Sequence, residues 1–343
     1  MGRRKLRTLL RIFRDRISLI RASLSLNRAA STVHVAVLRA TSVSTSSSAP
    51  SDRRLSAVLR YGHGSRITAR FCVATLMDRL HSTTDATVAL RSLITIHALI
   101  SRSSSFILRD ELSFFPSSGG RNHLNLSSFR DDSDAETWEL SSWVRWYAEF
   151  LDQTLIASRT LGYFLISPQQ GSDGAGEEKV EKVAALLNPD LLREIDVLVS
   201  FIELVSNSPE SVDLQRNNLI YEVVRLVCDD YGIVRGETFL RLVELGDRLD
   251  GLTHSEVTEL LGELDRIERC KEKLFRLFGN KKNGDGLWDT VTQMKMKGLA
   301  LKERMEGWKL VRKENRNSGE QTQFRKPFVG LLDSVPLAVS TVG

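Results

Sequence analysis

The sequence predicts an all-α protein, and three observations carry that prediction. Apolar residues recur at steps of three and four through one segment after another. Only seven prolines interrupt 343 residues. Hydrophobic residues make up 41% of the chain, enough for a sizeable core in one large or two ordinary domains.

Taken in order, the first 28 residues set Leu6, Leu9, Leu10, Phe13, Ile17, Ile20 and Leu24 on one helical stripe, with Arg7, Arg11, Arg14 and Arg21 along another face. A basic amphipathic helix is expected over residues 1–30. Such a helix can lie on an anionic membrane through Arg7, Arg11 and Arg14. Rich in Arg and Ser and poor in acids, it also has the composition of a cleavable import presequence, and most amphipathic stripes simply pack on a core. The MGRRKL start lacks the Ser or Thr of a myristoylation signal at its sixth position, so no acyl anchor is expected.

Residues 32–45 alternate Val33, Val35 and Val37 with small or polar residues, which by periodicity alone reads as a strand. Helices follow in ITARFCVATLMDRLH, DATVALRSLITIHALIS and TWELSSWVRWYAEFLDQTLIASRTLGYFL. The polar, glycine-rich SPQQGSDGAGEEK, 167–179, has no apolar period and is expected to be a flexible linker between two helical halves. Four more helical patterns lie near 180–206, 212–231, 235–250 and 254–278. From 281 onward a charged, helix-compatible segment leads into a polar tail expected to be disordered.

Charge is placed unevenly. Residues 1–70 hold 15 Arg or Lys against the two acids Asp15 and Asp52, or +13, so with a net +5 overall the other 273 residues carry −8. A basic end on a mildly acidic body points to a polyanionic partner. Within that end, Arg39 precedes a serine tract and Arg53 and Arg54 follow it. Arginine's planar donor fork matches carboxylate and phosphate oxygens, so an anion is expected there.

Several function classes find no support. No apolar run approaches the roughly 20 residues of a spanning helix, since VALRSLITIHALI is broken by Arg91 and His97. Cys72, Cys228 and Cys270 are far apart and form no CxxC, so neither a disulfide framework nor a zinc site is expected, and a reducing compartment fits. HExxH, GxSxG, GxxxxGK[ST] and strand-linked GxGxxG motifs are absent, so no enzyme and no cofactor is expected. GSDGAG at 171–176 is linker, the adjacent Asp131 and Asp132 suit helix capping, and His97 suits a hydrogen-bonded core position. Nucleic-acid binding lacks both a recognised module and aromatics interleaved with the arginines.

Two long stretches resemble a known family. RLHSTTDATVALRSLITIHALI, 79–100, is similar to the third and fourth helices of the ANTH domain of clathrin assembly proteins, with the pattern LHkTxxxxVALKxLIxIHxLL. LSSFRDDSDAETWELSSWVRWYAEFLDQTL, 126–155, resembles that family's SNFKDD…WD.S.WVR.YA.FLEE stretch, in order and at matching distance, and RCKEKLFRLF, 269–278, resembles the plant-type members. The resemblance covers about 15–280.

It implies an ANTH-type superhelical stack of about eight to ten helices with a disordered tail. The stack is expected over 31–280, with residues 32–40 helical rather than extended. By resemblance, RAT at 39–41 and PSDRR at 50–54 correspond to the family's phosphoinositide signature, with Arg39, Arg53 and Arg54 as the binding residues. Ser51 stands where a second cation is usual, and the serine-rich spacer is about two residues longer.

The resemblance further implies a peripheral adaptor that binds phosphatidylinositol 4,5-bisphosphate and promotes clathrin coat assembly, endocytosis and budding. Its place would be the cytoplasmic face of membranes, at clathrin-coated pits and vesicles and at the Golgi or trans-Golgi. Clathrin and coat adaptors, and SNAREs as a further class, are the implied partners. The sequence contains no DPF or NPF, and LLDSV at 331–335 lacks the acidic ending of a clathrin box. The alternative is an organelle-imported helical protein with an Arg/Ser-rich presequence.

Overall fold

The computed structural model describes residues 28–42, 48–103, 106–114, 124–166, 175–210, 217–278 and 286–320, with Ile17 alone before them. Among the described residues there are 11 α-helices, two short 3-10 turns and no strand. The amino-terminal segment bearing Arg7, Arg11 and Arg14 and the tail from 321 lie outside the described residues.

The chain enters through α1 (Arg28–Thr41), α2 (Asp52–Leu59) and a 3-10 turn (Arg60–His63). The alternating valines of α1 do not make a strand. Val33, Ala36, Val37 and Ala40 join the hydrophobic core, spaced by three, one and three, with Leu38 buried beside them, while Val35 is only half-buried. That is a helical stripe facing α3 (Arg66–Ser82) and α4 (Ala86–Arg102), and packing on them decides what periodicity over three valines left open.

α4 is the axis of this half. From Val88 to Ile100 every residue is buried, the signature of a helix covered on all sides. Its first turn is capped twice: Asp85 accepts from the amides of Thr87 (2.8 Å) and Val88 (3.2 Å), and Asp131 accepts from that of Ala86 at 2.9 Å. Asp131 thus has the capping role expected of it, though for a helix 45 residues earlier in the chain. His97 is also the core residue expected. Its Nδ1 lies 2.7 Å from the Tyr147 hydroxyl and its Nε2 2.9 Å from Asp230, joining α4 to two other helices.

α5 (Phe106–Phe114) packs on α3, and α6 (Ala135–Leu161) carries the stack onward. α6 begins in a capping box between Asp134 and Thr137 and ends at Gly162 in the left-handed region, φ 75°. Trp143, Trp146, Tyr147 and Phe150 line its inner face, with Phe150 edge-on to Phe201 at 4.9 Å between ring centres.

In the second half, residues 175–179, expected as the end of a flexible linker, form the start of α7 (Ala175–Ala184). The apolar pattern near 180–206 divides at Leu187, with Pro189 in the first turn of α8 (Asn188–Ser206). The two patterns at 212–231 and 235–250 merge into α9 (Asn218–Asp247), which runs unbroken through Gly232 and Gly236.

A buried ionic cluster joins these elements. Arg241, 1% exposed, donates to Glu194 at 2.7 Å, to Glu237 at 2.8 Å and to the Tyr163 hydroxyl at 3.2 Å. Lys179 reaches Glu237 from α7. Burial alone would raise the Glu237 carboxyl, but the hydrogen bonds from Lys179 and Tyr163 and the neighbouring cations outweigh it and hold the carboxyl below its ordinary value of 4.5.

α10 (His254–Phe278) packs on α8, and α11 (Gly286–Glu320) on α9 and α10. The folded unit therefore runs past 280. Leu287, Trp288, Val291, Met294 and Leu301 are buried, and a Cβ on Gly298 would meet Leu261 at 3.1 Å, so this glycine permits the close approach of α11 to α10. None of the described helices is long and apolar enough to cross a membrane.

Candidate functional site

The three arginines singled out in the sequence meet in one cavity. It measures about 860 Å³ and lies between α1 and α2. α1 contributes Ser31, Thr32, Val35, Ala36 and Arg39, α2 contributes Arg53, Arg54 and Ala57, and Ser51 stands at the α2 N-cap. The 3-10 turn adds Arg60 and Tyr61, which sequence reading did not pick out.

The local sequence explains the geometry. Leu55 and Val58 of α2 are buried, so residues two positions before and after them turn outward, and Arg53, Arg54 and Arg60 are exposed. Arg39 is on the outer face of α1, opposite the Val33, Val37 and Ala40 stripe. Each stem can lie along apolar wall while its guanidinium faces solvent.

Electrostatically the cavity is one-sided. Four arginines line it and no acid does. Asp52, the single acid nearby in sequence, is ion-paired to Arg102 of α4 at 2.7 Å. Among the described residues, none of Arg39, Arg53, Arg54 and Arg60 has an ion-pair or hydrogen-bond partner for its side chain. At the start of α2, the Ser51 carbonyl accepts from the Arg54 amide at 2.8 Å, while its side chain makes no capping bond, so the first two amides of the helix, those of Asp52 and Arg53, are left uncapped.

The connection between the two walls is braced from beneath. Arg91 of α4, 1% exposed, donates through Nη2 to the Ser48 carbonyl at 2.7 Å and through Nη1 to the Ser42 carbonyl. One buried side chain thereby grips both ends of residues 43–47. It sets where α1 ends relative to where the chain toward α2 begins, and hence where Arg39 lies relative to Arg53 and Arg54.

Other chemistry is lacking here. Among the described residues no group of His, Cys, Asp and Glu could hold a metal ion. The three cysteines are free, and burial pushes the Cys72 thiol up to about 12, an unreactive setting.

The fold is an all-helical stack whose α1 and α2, with the 3-10 turn that follows, form a cavity lined by four arginines and no acid. The family model described as ANTH domain matches residues 32–285, and the chain belongs to the ANTH domain family. Among its relatives in Arabidopsis thaliana, "Putative clathrin assembly protein At4g40080" is 44% identical over 265 residues, 76% of this chain and 72% of the relative. "Putative clathrin assembly protein At5g10410" is 34% identical over 77% of this chain and 76% of its own length. "Putative clathrin assembly protein At5g65370" is 29% identical over 79% of this chain and 91% of its own length.

Proposed function

We propose that this chain is a peripheral membrane adaptor whose cavity takes the phosphates of an inositol phospholipid, phosphatidylinositol 4,5-bisphosphate in the first instance, and which couples that membrane to clathrin coat assembly. The observation carrying the reading is the convergence of Arg39, Arg53, Arg54 and Arg60 on a space of headgroup size with no acid on its walls. Phosphate oxygens accept from arginine forks and from open amides at a helix start, so one ligand satisfies both kinds of donor. The coat role is supported by the names of the relatives, and with it goes a location on the cytoplasmic face at coated pits and vesicles during endocytosis, with Golgi membranes and SNAREs as further sites and partners.

The test replaces Arg39, Arg53 and Arg54 together with Ala and measures sedimentation with liposomes at near-physiological salt. Each basic residue at an anionic surface is worth about 1 kcal/mol, so the triple variant should bind on the order of a hundredfold more weakly. The helical circular dichroism should be unchanged, since all three side chains are exposed. The parent should favour the inositol lipid over phosphatidylserine at matched charge, and should carry clathrin onto those liposomes. A triple variant that binds like the parent would remove the cavity from the account.

A further inference from the structure

We propose that Arg60 is a fourth phosphate ligand and gives the cavity a preference for inositol headgroups with two ring phosphates over those with one. This rests on the reading of the cavity as a phosphoinositide site. Arg60 belongs to a different element from the other three, the 3-10 turn Arg60–His63 that continues α2. Arg53, Ala57 and Arg60 nevertheless line the same cavity, one along each successive turn. Seven residues at a rise of about 1.5 Å set Arg53 and Arg60 roughly 10 Å apart along the axis, so the two forks occupy opposite ends of one wall.

The two ends differ in kind. At the first, Arg53 and Arg54 stand beside the uncapped amides of Asp52 and Arg53 and across from Arg39, a set that one phosphate can fill. At the second, Arg60 stands past the last turn of α2, where the carbonyl end of a helix favours a cation and offers an anion nothing but that cation. Arg60 is exposed and has no acidic partner, so a monophosphate held at the first end leaves it unused. Val35, Ala57 and the half-buried Tyr61 also line the cavity and offer apolar surface to the ring's C–H face. A second phosphate across the ring brings the fourth fork into use.

The experiment uses the full chain and vesicles of three compositions at matched charge: a bisphosphorylated inositol lipid, a monophosphorylated one, and phosphatidylserine. The parent is compared with R60Q, R60K and the Arg39/Arg53/Arg54 triple variant. R60Q should lose about tenfold in affinity for the bisphosphorylated lipid, in the range of one hydrogen bond to a charged group, and less than about twofold for the monophosphorylated one. R60K should fall between. An R60Q protein that keeps the parent's preference, while the triple variant has lost binding, overturns the role of Arg60 and leaves the phosphoinositide reading standing; a triple variant that still binds overturns both. Soluble inositol trisphosphate, titrated by calorimetry, separates the headgroup from the membrane. R60Q should weaken it by the same factor, and a loss confined to vesicles would mean that Arg60 acts only as surface charge, against the proposal.

Discussion

Replacing Arg91 with Met tests whether the cavity works by arrangement or by charge alone. Arg91 is 1% exposed and cannot touch a lipid, so any effect on binding must pass through what it holds. Methionine keeps the length and apolar stem but deletes the donors to the carbonyls of Ser42 and Ser48. A buried acceptor left without a partner costs about 1–3 kcal/mol. Both serines are only half-buried and water can replace part of each bond, so the low end applies, and about 2 kcal/mol for the pair is expected. For a domain of this size that is a fall in Tm of roughly 4–8 °C. Binding should fall about tenfold for the bisphosphorylated lipid and not at all for phosphatidylserine, because preorganisation is lost while the exposed cations stay. Lys, with one fork fewer but a charge still in place, should recover part of both. An R91M protein with lowered Tm and the parent's full lipid preference would refute the positioning argument and leave Arg91 a purely structural residue.

Three further outcomes are expected. Arg241→Met strands Glu194 in the core, while Glu237 keeps Lys179 and the Tyr163 hydroxyl, and it should cost about 3–5 kcal/mol in urea unfolding, with a loss below 1 kcal/mol counting against the buried cluster as described. Glu237, whose carboxyl is held below 4.5, contributes stability that is fully present above its unfolded value and lost as pH falls through its lower folded value; E237Q should therefore flatten the fall in stability below about pH 4.5, as read by urea midpoints across that range. Trp288→Ala, at 5% exposure in α11, should destabilise by about 3–5 kcal/mol in the same cooperative transition, whereas a separate or missing transition would detach α11 from the folded unit.

The fold was legible where helices carry long stripes and strong caps. α4 and α6 could be read directly, since VALRSLITIHALI and the Trp143, Tyr147, Phe150 spacing leave no other periodicity available. α1 could not be read from its residues, because three alternating valines satisfy a period of two while the deciding partners, α3 and α4, are distant in sequence. The same holds for the merging of two patterns into α9, which continues through Gly232 and Gly236 without a break. In the site, Arg39, Arg53 and Arg54 were found by their clustering around the serine tract. Arg60 was within reach, being seven residues from Arg53 and so on the same side of a continuing helix. Arg91 was not, for a basic residue inside an apolar run looks like an interruption until the carbonyls it grips are seen. The end of the folded unit was misplaced at 280 because α11 is charged on its open side, and among the described residues only six buried positions across 15 residues, Gly298 included, tie it down.

The order of packing along the chain has a consequence for how such a protein can change over generations. α1 rests on α2, α3 and α4, while α11 rests on α9 and α10, and stability in such a series accumulates from neighbour to neighbour. A substitution in the cavity wall is felt by the helices under it and fades before reaching the far end. The end that carries the arginine cavity and the α11 end can therefore drift separately, with the helices between them acting as the common inheritance.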